Sequence, residues 1–106
     1  MRLGRETNGV LLRGCVVLNY RVAYRMRMGA FFAEVLDFPE ATAFGSTVTE
    51  ARHNLVSALR YAAELRLRRG ELLPLPDPTH SAPDAYSQEV LTLLPDDDNR
   101  VTIQAG

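Results

Sequence analysis

The stretch that decides the fold is Thr47-Val48-Thr49-Glu50-Ala51-Arg52-His53-Asn54-Leu55-Val56-Ser57-Ala58-Leu59-Arg60-Tyr61-Ala62-Ala63-Glu64-Leu65-Arg66-Leu67-Arg68-Arg69-Gly70. Its first four residues form a capping box: the Thr47 hydroxyl can accept from the Glu50 backbone N–H, while the Glu50 carboxylate reaches back to Thr47 N–H. Val48, Ala51, Leu55, Ala58, Leu59, Ala62 and Leu65 then recur at three- and four-residue steps, which predicts one helix with a single apolar stripe. Arg66, Arg68 and Arg69 suit the negative end of its dipole, and Gly70 supplies a residue free to turn left-handed after it. About 33 Å of helix results at 1.5 Å per residue, enough to cross a small sheet.

Upstream, the periodicity changes from 3.6 to 2. Tyr20, Val22, Tyr24 and Met26 alternate with Arg21, Ala23, Arg25 and Arg27, which predicts a strand from Cys15 to Arg27 with one buried side. A turn at Met28-Gly29-Ala30 leads into Phe31–Leu36 as the second strand of a hairpin. Asp37-Phe38-Pro39-Glu40 breaks that strand, and Ala41–Phe44 is a brief third one, stopped by Gly45. The helix is expected to bury Val48, Leu55, Leu59 and Ala62 against Val22, Tyr24, Phe32 and Val35.

Downstream of the helix, Pro74, Pro76, Pro78 and Pro83 make residues 73–84 an extended, semi-rigid connector. Gln88–Leu94 should return as a strand, Asp96-Asp97-Asp98-Asn99 as a turn, and Arg100–Gln104 as a last short strand. With 106 residues and 46% apolar content, the chain fits one soluble domain. The expectation is an α+β fold: a three-to-five-stranded, mostly antiparallel sheet with one long helix packed on one face, in the order β-β-β-α-β. Residues 1–14 read as a leader or an extra short strand, 15–70 as the core, and 71–106 as connector and C-terminal strands of the same domain.

Charge is distributed unevenly along the chain. Residues 1–28 carry six Arg and one Glu, a net +5, whereas residues 70–106 carry Arg100 against seven acids, a net −6. Two readings follow: a basic surface for an acidic partner, or head and tail paired within one fold. Every cation other than histidine is an arginine, a planar fork that holds phosphate or carboxylate bidentately. Cys15 is the only cysteine, so no intrachain disulfide can form and a reducing cytoplasm is expected. Arg13 interrupts the apolar run near the start, so no secretory segment is expected, and no stretch has the length of a membrane span.

Motifs for chemistry are sparse. His53 and His80 sit in no recognisable catalytic pattern, and the first strand lacks any acid, so metal-dependent phosphodiester chemistry through Glu34 and Asp37 is the weakest reading. Asp96-Asp97-Asp98 lacks the spaced ligands of a calcium loop. No cofactor and no enzymatic activity are expected. Arg21, Arg25 and Arg27 project from one strand face close to Arg13, as phosphate contacts would, but Tyr20 and Tyr24 belong to the opposite face, so an aromatic platform beside these cations is not expected.

Residues 20–70 resemble the HicB family of bacterial antitoxin proteins and their solo relatives. The matching features are Tyr20 leading the first strand, the turn at Gly29, Ala33-Glu34-Val35, Asp37-Phe38-Pro39, and Gly45-Ser46-Thr47 before Thr49-Glu50-Ala51, with Pro74-Leu75-Pro76 as the exit. Glu40 stands where the family usually has Gly, and Gly29 lacks the second glycine common there. The resemblance implies a partial ribonuclease-H-like sheet and binding rather than catalysis: masking of a small HicA-like toxin that cleaves messenger RNA. Tyr20, Gly29, Phe38, Pro39, Gly45, Thr47, Glu50 and Ala51 are then fold-motif residues, and Asp96, Asp97 and Asp98 candidate contacts to a cationic partner. The alternative is a nucleic-acid-binding or regulatory homo-oligomer using Arg13, Arg21, Arg25 and Arg27. An exposed strand edge predicts a homodimer in either case.

Overall fold

A computed structural model describes residues 17–105. The predicted leader, Arg13 and Cys15 lie outside the described residues. The chain forms β1 (Leu18–Arg27), β2 (Ala30–Val35), β3 (Phe38–Gly45), α1 (Val48–Arg68), β4 (Ser87–Pro95) and β5 (Val101–Ala105). All five strands join one antiparallel sheet in the order β3-β2-β1-β4-β5, so β1 is central and the two free edges are β3 and β5. The class is α+β, with α1 covering one face of the sheet.

Two-residue turns build the first half. Arg27 pairs with Ala30 across Met28 and Gly29, whose φ values of 51° and 81° are the double left-handed turn that suits a twisted hairpin. Val35 pairs with Phe38 across Leu36 and Asp37, after a register shift between Glu34 and Val35. The third strand is therefore longer than Ala41–Phe44. Phe38 opens it rather than breaking the second, and Pro39 fits inside because β3 is an edge, where a missing N–H leaves no ladder bond unmade.

The α1 caps follow the sequence with one change. Glu50 N–H donates to Thr47 Oγ1 at 3.0 Å, but the Glu50 carboxylate turns to Ser46, accepting from its N–H and its hydroxyl at 2.6 Å each, instead of from Thr47. At the other end Gly70 N–H donates to Leu67 O and Glu71 N–H to Arg66 O, with Gly70 at φ +74°: a Schellman motif.

The core lies between α1 and the inner sheet face. Tyr20, Val22, Tyr24, Ala33, Val35, Phe38, Ala41, Leu91, Leu93 and Val101 meet Ala51, Leu55, Leu59, Ala62 and Ala63 there. Two predicted core positions move. Phe32 points to the outer face, because Ala33 and Val35 set the phase of β2, and Phe31 takes the inner position instead. Val48 is only half-buried at the helix entrance. Met26 shares the inner face with Tyr24 yet remains 58% exposed, lying past the residues that form the core.

The connector does more than span. Leu73 enters the core, and the buried Tyr20 hydroxyl donates to Pro74 O. Beyond this, Ala82 N–H donates to Gln88 Oε1, opposite Ala23 in the ladder, and Asp84 meets Arg25. The connector thus laps the outer face of β1, which accounts for a fully buried Ala23 on the side predicted to face solvent.

Candidate binding face

Antiparallel partners share a face, so the register decides which side chains stand together. On the outer face Arg25 is opposite Phe32, and Phe32 is opposite Phe44, giving a row across β1, β2 and β3. The two phenylalanine rings lie 4.9 Å apart at 49°, and the Arg27 guanidinium sits 4.7 Å from the Phe32 centroid. Phe44 is 56% exposed, with its carbonyl held by Asn54 Nδ2 at 2.8 Å. An aromatic platform beside cations therefore does exist, contrary to the sequence expectation. It is made by phenylalanines of β2 and β3 rather than tyrosines of β1, and the signal was the alternation of β2, which sends Phe32 and Glu34 outward together.

The candidate arginines fare differently. Arg25 donates to Glu34 at 2.7 Å and to Asp84 at 3.2 Å, and these bonds, Glu34 first, raise its pKa. Arg21 has its Nε buried without a partner among the described residues. Arg27 is exposed and stacked as described. Glu34 and Asp37, the pair considered for metal chemistry, are engaged separately: Asp37 accepts from Asp77 N–H at 2.8 Å and pairs with His80 Nδ1 at 2.7 Å. His80 is thus no bystander but a clasp between the connector and the β2–β3 turn, whereas His53 is exposed on the helix.

Most acids of the tail are also spent inside the fold. Glu89 accepts from the buried Tyr24 hydroxyl and from Arg52 Nε at 2.6 Å. Asp77 accepts from the Thr79 hydroxyl and N–H, which lowers its pKa. Asp96 accepts from the N–H groups of Asp98 and Arg100 and so shapes the β4–β5 turn. Of the predicted partner contacts, Asp97 and Asp98 stay exposed, and their carboxylates accept no hydrogen bond among the described residues.

The motif residues are structural. Tyr20 packs edge-on against Phe38 with centroids 5.7 Å apart, and burial raises its pKa above the ordinary phenol range. Phe38 and Ala51 are fully buried, Pro39 is exposed, and Gly29 serves the turn. At Gly45 a Cβ would lie 2.4 Å from Ala51 N, so only glycine lets β3 meet the start of α1.

A cavity of about 270 Å³ opens beside Tyr61 and Arg66, but Glu40 and Arg66 bond across it at 2.7 Å, and that bond lowers the Glu40 pKa. It is smaller than the usual ligand site. Among the described residues no three His, Cys, Asp or Glu side chains gather as a metal site would require, and no helix is long and apolar enough to cross a membrane. Compared with protein-family models and with curated proteins, the chain matches none.

Proposed function

We propose that this protein is a non-catalytic, HicB-like antitoxin-type module that binds and masks a small, basic, mRNA-cleaving toxin in the cytoplasm. The observation that carries the reading is the role of the motif residues. Gly29, Phe38, Gly45, Thr47, Glu50 and Ala51, on which the resemblance rests, occupy the joints of a sheet roofed by one helix. A partial ribonuclease-H-like sheet is the finer form of that fold in this reading.

Asp97 and Asp98, exposed at the tip of the β4–β5 turn, are the acids that meet a cationic surface in this reading. Edges β3 and β5 leave a route to a homodimer by strand pairing. Because β4 and β5 make up two of the five strands, deleting residues 86–106 would remove fold and contact together. The test is therefore to look for a neighbouring short gene for a small basic protein, whose absence counts against masking, and to co-express its product with the full chain. Co-purification and growth rescue support masking. A several-fold slower association of the Asp97→Asn/Asp98→Asn variant supports the turn as the contact. Failure to co-purify or to rescue growth overturns the masking reading, and unchanged association of the variant removes the turn from it.

A further inference from the structure

Beyond partner masking, we propose that the outer sheet face is a stacking platform for single-stranded nucleic acid, centred on Phe44, Phe32 and Arg27. The row across three strands holds two phenylalanine rings 4.9 Å apart on the ladder, with the Arg27 guanidinium carbon over one of them, 4.7 Å from its centroid. Every base has a π-face, so such a surface takes bases without needing their sequence. Phe44, more than half exposed, presents its ring to the first base, and Arg27 offers both a second stacking plane and a phosphate contact.

Arg25 is held by Glu34 and Asp84 and serves as a wall rather than a phosphate ligand. A stable protein interface needs roughly 800 Å² of well-packed surface on each partner. Here two rings are bordered by Thr42, Glu34, Arg27 and Arg25, a small apolar island in polar surroundings. That arrangement favours a flexible strand over a second protein. It also favours a single strand over a duplex, whose bases are already stacked on one another.

The test is fluorescence anisotropy of the full chain with end-labelled oligonucleotides of about 12 nucleotides, single-stranded DNA, single-stranded RNA and duplex, at about 50 mM salt. The platform predicts binding to the single strands in preference to duplex. Phe44→Ala weakens it by about 5- to 150-fold, whereas Phe44→Trp retains it. Arg27→Gln reduces the slope of log affinity against log salt by about 0.7. Because Phe44 is exposed, the melting curve of Phe44→Ala should overlay that of the unmodified chain, which separates lost stacking from lost folding. No binding, equal affinity for duplex, or an unaffected Phe44→Ala overturns the proposal. So does a dimer in sedimentation velocity that Phe44→Ala dissociates while oligonucleotide binding is absent, since the patch would then be a self-contact. None of these outcomes bears on co-purification with a toxin, so the two readings fail independently.

Discussion

Gly45→Ala tests the junction on which the whole arrangement turns. Gly45 is the last residue of β3 and lies outside the left-handed backbone region, so its need for glycine comes from space and not from φ. An added Cβ would sit 2.4 Å from Ala51 N, 2.8 Å from Glu50 C and 2.9 Å from Ala51 Cα. All three are backbone atoms of the first helical turn, and no side-chain rotation relieves them. Overpacking of such a site costs about 1–3 kcal/mol, and displacing the helix start from its cap adds about 1 kcal/mol. The alanine also narrows the unfolded ensemble, which offsets about 0.4–1 kcal/mol. The net loss is therefore about 1–3 kcal/mol, a large part of the roughly 5–16 kcal/mol expected for a chain of this length. Urea titration with an unchanged m-value reads it directly. Gly29 is the internal comparison: at φ +81° with no heavy atom within 4 Å of a Cβ, it suffers only the left-handed penalty of about 1–2 kcal/mol. Asparagine should accordingly be tolerated at position 29 and be worse than alanine at position 45. A Gly45→Ala protein within about 0.5 kcal/mol of the unmodified chain would refute the close approach of β3 to α1.

Other outcomes follow from the same structure. Leu59→Ala empties a fully buried position at the centre of the core and should cost about 2–5 kcal/mol; Leu72→Ala, at a side chain 56% exposed, should stay within about 0.5 kcal/mol in the same titration. Thr47→Ala removes the acceptor for Glu50 N–H and should lower stability by about 1 kcal/mol, with Thr47→Ser close to neutral. Burial first, and for Tyr24 the Glu89 carboxylate as well, raises the pKa of Tyr20 and Tyr24. The folded state then holds these protons more tightly than the unfolded chain, so the stability they contribute is complete below the ordinary phenol pKa near ~10 and is lost as pH rises past it. Melting temperatures should fall on the alkaline side, and Tyr20→Phe should flatten that fall; an alkaline slope unchanged in Tyr20→Phe would exclude Tyr20 as its source.

The helix was legible because its information is local. A capping box, seven apolar residues in one stripe and a terminal glycine lie within 24 consecutive residues, and α1 begins one residue after Thr47 and ends two before Gly70. The turn at Gly29 and the alternation of Tyr20, Val22 and Tyr24 were equally local. The expected burial of Phe32 fails because two adjacent phenylalanines fit either phase of a strand, and only Ala33 and Val35, packed under α1, select one. The acids of the tail could be counted but not spent in advance: Glu89 and Asp84 meet partners 37 and 59 residues away respectively.

Sequence alone therefore determined the elements, since caps, periodicity and turn residues act over one to four neighbours along the chain. Only the tertiary structure decided the surface. The placing of Phe32, Phe44 and Arg27 in one group on the outer face depends on cross-strand register and on the phase imposed by the core, and both are set by burial of residues far apart in sequence.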